Sequence, residues 1–259
     1  MTVVWWSREA RGRGAEAPSR EDVAALARRN GDAATHCAAG RPAEAVAGFE
    51  DVLARCLGTL GADHPGTLTV AGNLATACVG AGQWQRGLEL MAANLSDRVR
   101  VLGEDDPRTL TAADALATAY RLVGEVDEAL SLSGRVTAER RRVLGAAHPD
   151  TLVSRMGMAL ARAEAGDVES ALTLLGAALQ DAERAWGARH EHTIALRANV
   201  AGCLASLGRT TQAVATFRRA ADDAAALLGP EHPETVALRE DTAAAFHSAP
   251  LTDSEAVPA

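Results

Sequence analysis

The sequence predicts an all-α protein built from repeated helix pairs, and three observations support this prediction. Sequence markers recur every 42 residues along most of the chain. Apolar residues between the markers have helical spacing, as in Leu88, Met91, Leu95 and Leu102. Aromatic residues make up only 3% of the chain and Ile194 is its sole isoleucine, a composition poorly suited to β-sheets.

The first marker is a loop sequence that occurs five times without gaps and predicts where one helix ends and the next begins. Its glycine can adopt the left-handed conformation that ends a helix, and the proline found in most copies prevents continuation. We expect its threonine to be the N-cap of the next helix. The marker glycines and threonines are Gly61, Gly103, Gly145, Gly187 and Gly229, and Thr67, Thr109, Thr151, Thr193 and Thr235.

The second marker is a glycine half-way between the loops, with a small residue five positions later that lets two helices approach closely. It divides each unit into a helix A of about 14 residues and a helix B of about 18 residues. The glycines are Gly40, Gly82, Gly124, Gly166 and Gly208, and the small residues are Ala45, Gly87, Ala129, Ala171 and Ala213.

These repeats resemble the tetratricopeptide repeat, and the 42-residue unit with its His-Pro connection resembles the kinesin-light-chain variety. The resemblance covers roughly residues 22–246. It implies a right-handed α-solenoid of five helix pairs with a C-terminal capping helix, in which the A helices line the concave face. We expect one solenoid domain over 21–248, a mobile N-terminal tail over 1–20 and a disordered C-terminal tail over 249–259.

The composition excludes several function classes. A net charge of −8 argues against nucleic acid as the main partner, because phosphate binding needs a basic face. No window approaches the roughly 18 apolar residues of a membrane span, and the start of the chain lacks a signal-peptide pattern, so we expect a cytoplasmic location. All 26 basic residues are arginine, which excludes lysine-dependent chemistry. Abundant alanine and arginine without lysine is typical of GC-rich, actinobacterial-type genomes.

Neither a metal site nor a cofactor site is expected. The histidines recur in the loops between units and are interpreted as loop-structuring residues, because none has a suitably spaced ligand cluster. The cysteines are scattered and are interpreted as thiols, and no motif of nucleophilic catalysis is present. The loop histidines are His64, His148, His190, His192 and His232.

The resemblance also implies a ligand groove along the A helices. Asn73-Leu74-Ala75 matches a family motif whose asparagine hydrogen-bonds the backbone of a bound peptide, whereas Ala115 and Gly157 depart from it. The cations of grooves that bind chaperone tails are missing, and the groove centre is small and apolar, which suits an apolar peptide, a helix or the protein's own last helix or tail. The candidate groove residues are Asn73, Thr76, Thr111, Asp114, Thr118, Arg121, Arg155, Met156, Leu160, Arg162 and Asn199.

Two arginines of this set have two interpretations. Arg155 and Arg162 lie seven residues apart on one helix and need partners if they are half-buried. One interpretation is an ion pair with a neighbouring unit, through Asp114 or Glu164. The other is a fork that binds a carboxylate or phosphate in the groove. The charged run Glu139–Arg142 is expected on a solvated face.

The sequence therefore predicts a non-catalytic scaffold or adaptor that binds a peptide or protein partner. A related possibility is a sensor that works with a signalling ATPase or regulator on another chain. The alternative is an enzyme or small-molecule binder of specialised metabolism with its site in the concave groove. Trp5 and Trp6 in the N-terminal tail are expected to dock into a groove of the same chain or of a second chain, which would give a homodimer.

Overall fold

The computed structural model describes residues 18–247, which form eleven helices and no strand. The helices are α1 (Arg20–Ala38), α2 (Pro42–Thr59), α3 (Pro65–Gly80), α4 (Trp84–Leu102), α5 (Pro107–Leu122), α6 (Val126–Leu144), α7 (Pro149–Glu164), α8 (Val168–Trp186), α9 (Glu191–Ser206), α10 (Thr210–Leu228) and α11 (Pro233–His247). Five helix pairs followed by a final helix confirm the predicted fold class.

The chain divides into two compact units, Met1–Ala129 and Leu130–Ala259. In the first, helices α1 to α4 each pack against the next helix in the chain; in the second, helices α7 to α10 do the same. The expected single domain over 21–248 stays a prediction. The predictions for the tails, including the docking of Trp5 and Trp6, concern residues that lie almost entirely outside those that the structure describes.

Glycines end the helices in two different ways. After α3, the amide of Gly82 donates to the carbonyl of Val79, and the amide of Gln83 donates to that of Cys78. This is the hydrogen-bond pattern of a helix end with a glycine at positive φ, here +75°. After α4, Gly103 has φ 92° and ψ 160°, an extended conformation at positive φ that is essentially restricted to glycine. Glycines therefore end the helices at both kinds of marker, but Gly103 takes this extended conformation in place of the left-handed one that was predicted.

The prediction that the loop threonines are N-caps is wrong. Thr67 lies inside α3 and its hydroxyl donates to the carbonyl of Gly61 at 2.7 Å. The N-cap of α3 is His64, whose Nδ1 accepts from the amide of Gly66 at 3.0 Å. The helix begins earlier than predicted because Pro65 occupies the first helical position, where its fixed φ is favourable and its missing N–H is not needed.

Small residues let the two helices of a pair cross closely. A Cβ added to Gly87 would lie 2.6 Å from Cγ2 of Val79 and 3.2 Å from the carbonyl oxygen of Ala75. Ala45, at the equivalent position of the first pair, is completely buried. The apolar cores form around these crossings. They contain Phe49, Val52, Val70 and Leu74 in the first unit, and Leu152, Leu175, Ile194, Leu196 and Phe217 in the second.

Candidate functional site

The first unit contains a solvent-open cavity of about 370 Å³ between α3, α4 and α5. Its walls come from two A helices and its floor from the B helix between them in sequence. The lining residues are Thr69, Gly72, Asn73 and Thr76 of α3, Met91, Asn94 and Arg98 of α4, and Pro107, Arg108, Thr111, Ala112 and Ala115 of α5.

Three of the candidate groove residues line this cavity. The hydroxyls of Thr76 and Thr111 donate back to their own helices, to the carbonyls of Gly72 and Pro107. The side-chain amide of Asn73 donates to Oδ1 of Asn30 at 3.0 Å. Within the described residues, Oδ1 of Asn73 accepts no hydrogen bond, so it can accept one from a ligand.

The other candidates on α5 do not line the cavity. Asp114 and Arg121 are half-buried and Thr118 is exposed. The structure therefore places Thr111 at the cavity and Asp114, Thr118 and Arg121 elsewhere on the same helix.

The remaining candidates belong to the second unit. Other residues of the protein already occupy several of their hydrogen-bonding groups. The amide of Asn199 donates to Sδ of Met156 at 3.3 Å and to the carbonyl of Ala195 at 2.9 Å. Leu160 is half-buried. The side-chain amide of Asn199 is thus engaged, as is that of Asn73, and Oδ1 of both residues accepts no hydrogen bond within the described part of the chain.

Arg155 is held in an ion pair, but not with the partners considered from the sequence. Its Nη1 lies 2.6 Å from Oδ2 of Asp181 on α8, and neither Asp114 nor Glu164 is its partner. Arg197 repeats the arrangement 42 residues later, with Asp223 and Glu183 each at 2.6 Å. A carboxylate on the paired helix therefore neutralises Arg155.

Arg162 differs from Arg155 in its exposure and contacts. It contacts Asp167 at 3.4 Å, with nearly half of its side chain exposed. Its Nε is buried and has no hydrogen-bond acceptor in the described part of the chain. The contact of Arg162 in the described residues is therefore with Asp167, three residues after the end of its own helix, and not with Asp114 or Glu164.

Sequence reasoning missed two residues on the cavity floor, Asn94 and Arg98, because it placed ligand contacts on the A helices alone. Both are buried. The amide of Asn94 donates to the carbonyl of Leu68 at 2.8 Å. A signal existed in the repeats: the position of Arg98 is taken by Cys56, Ala182 and Ala224 in other units, all completely buried, and by a second arginine, Arg140. The repeat phase therefore predicts that an arginine at this position is buried.

The equivalent repeat position also changes the interpretation of the charged run Glu139–Arg142, which was expected to be exposed. Arg140, one repeat after Arg98, is buried, and its Nη1 donates to the carbonyl of Asp150 and to the hydroxyl of Ser154. Arg141 and Arg142 are exposed as expected. The expectation of a fully solvated run is wrong because every fourth residue of this helix faces the core.

The loop histidines accept hydrogen bonds from backbone amides in the first turn of the following helices. Nδ1 of His148, His190 and His232 accepts from the backbone amide two residues later. The rings of His190, His192 and Trp186 also pack together, with centroids 4.7 to 5.8 Å apart. No group of three or more His, Cys, Asp or Glu side chains that could hold a metal ion occurs within 18–247.

Burial raises the pKa of the thiols of Cys78 and Cys203, and that of Cys56 to about 11. These thiols are therefore not activated nucleophiles. Among the described helices, none is long and apolar enough to cross a membrane.

Models of the tetratricopeptide repeat match residues 22–92, 73–138, 116–184 and 193–234. Repeats of a putative kinesin light chain from Podosopora anserina are 27% identical, with a TM-score of 0.70, covering 82% of this chain and 98% of that chain. BtubC (BKLC) from P. vanneervenii is 16% identical, with a TM-score of 0.61 and coverages of 86% and 84%. Bacillus thuringiensis PlcR, solved with the peptide PapR7 and DNA, is 14% identical, with a TM-score of 0.59 and coverages of 85% and 75%. A search of curated proteins found no match.

Proposed function

Because the chain belongs to the tetratricopeptide-repeat family, we propose that it is a non-catalytic scaffold that binds an extended segment of a partner protein between α3 and α5. Members of this family are typically protein-interaction scaffolds. The observation that supports this location is the open cavity of about 370 Å³, with the unpaired acceptor of Asn73 in its wall.

The shape of the cavity favours a peptide over a small-molecule substrate. Gly72, Ala112 and Ala115 supply no side chain beyond a methyl group, so the cavity is open along the helix faces. Its volume lies near the lower end of the range for enclosed ligand pockets, which is room for one or two large side chains. An extended chain can place those side chains in the cavity while its backbone N–H groups meet the acceptor of Asn73.

The alternative of an enzyme site has less support. An enzyme site in the groove would use Arg155 as a cation, but the carboxylate of Asp181 neutralises that charge. The cavity lining includes no carboxylate, histidine or cysteine that could act as a general base or nucleophile.

The test is a selection of random decapeptides on the wild-type protein, followed by affinity measurements on substituted proteins. We predict that Asn73→Ala weakens binding of the selected peptides about fivefold, because one hydrogen bond is worth about 1 kcal/mol. Gln212→Ala, which removes an exposed amide from α10, serves as the control and should keep wild-type affinity. Unchanged affinity in Asn73→Ala contradicts the location, and a loss in Asn199→Ala instead moves the groove to the second unit.

A further inference from the structure

The last helix of the second unit exposes a row of side chains whose counterparts are buried one repeat earlier. Val236 is 38% exposed and Phe246 is 64% exposed. Arg239 and Ala243 lie between them on the same side of α11 and are exposed as well. We call these four residues the α11 stripe. Their equivalents in α9 are all at most 8% exposed; they are Ile194, Arg197, Ala201 and Leu204.

In α9 these positions are covered by the B helix of the same pair. Ile194 and Leu204 belong to the apolar cluster that contains Phe217 of α10. Nη1 of Arg197 contacts Oδ2 of Asp223, also on α10, at 2.6 Å. The B helix therefore brings apolar side chains and a carboxylate to this face. No B helix follows α11 within the described residues, so there the α11 stripe has neither.

The sequence just after α11 does not have the pattern of a B helix. The described B helices are 18 or 19 residues long and carry several buried apolar side chains. Residues 248–259 contain Pro250 and Pro258, and their only large apolar residues are Leu251 and Val257. Two apolar residues six positions apart do not form one face of a helix. Residues 248–259 therefore do not supply the missing cover.

We propose that the α11 stripe binds the α11 stripe of a second copy of this chain, in an antiparallel pair about a two-fold axis. Such an interface needs a surface that is complementary to itself. When the two helices are antiparallel, Val236 of one chain faces Phe246 of the other. Arg239 then faces Ala243, because both pairs are centred on the same point of the helix. The small Ala243 leaves room for the aliphatic stem of Arg239.

The charges of α11 are also complementary in this arrangement. Arg239 has no ion pair among residues 18–247, and its Nη1 contacts only the carbonyl of Pro230 at 3.2 Å. Glu240 is exposed and has no ion pair in the same range. It lies about one turn before Ala243, so the side chain of Arg239 can reach Glu240 of the partner subunit. Two such pairs form across the axis and replace the contact that Arg197 makes with Asp223.

The first experiment is sedimentation velocity of the full chain at a series of concentrations. One helix pair buries less than the area of about 1,200 Å² at which standard interfaces begin, so we expect a dimer with a Kd of about 10–100 µM. Phe246→Glu should raise this Kd at least about tenfold, because it buries a carboxylate against Val236. Leu57→Glu is the matched control, since Leu57 is 48% exposed on α2, and should keep the wild-type Kd. A wild type that is monomeric at every concentration, or an equal Kd in the two variants, overturns the proposal.

A second experiment tests whether the partner is another α11. Arg239→Glu places two acids together across the axis, and Glu240→Arg places two arginines together. Each variant alone should associate more weakly than the wild type. An equimolar mixture of the two should form a heterodimer with nearly the wild-type Kd, because opposite charges then face each other again. A mixture that associates no better than the separate variants overturns the pairing.

Two further results would identify a different cover for the α11 stripe. If deletion of residues 1–8 dissociates the dimer and Phe246→Glu does not, the dimer forms through the N-terminal tail and the proposal is wrong. If Phe246→Glu lowers the thermal stability of the dilute monomer and Leu57→Glu does not, the stripe is covered within one chain and the proposal is again wrong. The α11 stripe lies in the second unit, so these results do not depend on the peptide groove proposed for the first unit.

Discussion

At the scale of single residues, an arginine at one repeat position makes the same contact with a loop carbonyl in three repeats. Arg155, Arg197 and Arg239 lie 42 residues apart, and Nη1 of each contacts a loop carbonyl nine residues earlier, at 3.2 to 3.5 Å. The first two also pair with an aspartate on the following helix, Asp181 or Asp223. Arg239 is exposed and makes only the loop contact among the described residues. The contribution of this arginine to the free energy of unfolding is therefore expected to differ from one repeat to the next.

We predict that Arg197→Ala lowers the free energy of unfolding by about 2–4 kcal/mol, because it removes a buried stem and both ion pairs. Arg239→Ala, the control at the same repeat position, should change it by less than about 0.5 kcal/mol. Urea denaturation followed by circular dichroism measures both. Equal losses in the two variants would show that the ion pairs add no stability.

At the scale of helices, a side chain before each proline determines where an A helix begins. Asp106 caps α5 through the amide of Arg108 at 2.8 Å, and His64 caps α3 at the equivalent position. A histidine can accept this bond only with an unprotonated Nδ1. Burial lowers the pKa of His64, so the folded protein favours the neutral ring that the cap requires.

This cap makes stability depend on pH. Since the pKa of His64 is lower in the folded chain than the ordinary value of about 6.5 in the unfolded chain, its contribution is fully present above pH 6.5. The contribution is lost as the pH falls from about 6.5 through the folded pKa, by at most about 1.4 kcal/mol per pH unit.

We predict that His64→Asn reduces the loss of stability between pH 7 and pH 5, because asparagine is a good N-cap that does not titrate. Urea denaturation at each pH compares the variant with the wild type. The same decline in both proteins would contradict a role for His64 in the pH dependence.

At the scale of the whole molecule, two compact units have related cores. Phe49 on α2 and Phe217 on α10 occupy the same repeat position, four repeats apart, and both are buried. Each belongs to a separate apolar cluster within its own unit. In repeat proteins, stability is a sum of repeat and nearest-neighbour terms, so a defect is expected to act locally.

We predict that Phe49→Ala and Phe217→Ala each cost about 3–5 kcal/mol and accelerate amide hydrogen exchange first in their own unit. Exchange measured by mass spectrometry on peptic peptides of both variants should give opposite patterns, which makes each protein the control for the other. Uniform acceleration throughout 18–247 in both variants would contradict local behaviour.

The sequence by itself determined the repeat length, the helix order and the positions where helices stop, because glycines such as Gly103 take a conformation that other residues avoid. It did not determine where the A helices start, because Pro107 and its equivalents are the first helical residues and the predicted threonine caps lie inside the helices. The sequence also located Asn73 and Thr111, which line the cavity, since their positions follow from the phase of the repeat.

Only the tertiary structure decided which charged side chains are buried and which have a partner of opposite charge. The pairing of Arg155 with Asp181 joins two helices, and the burial of Arg98 and Arg140 depends on the packing of their B helices. Repeat phase assigns a residue to a helix face, but the energy of a charge depends on the atoms that other helices bring to it. For that reason the sequence predicts a candidate groove on the A helices, while the buried arginine on the cavity floor became visible only in the folded chain.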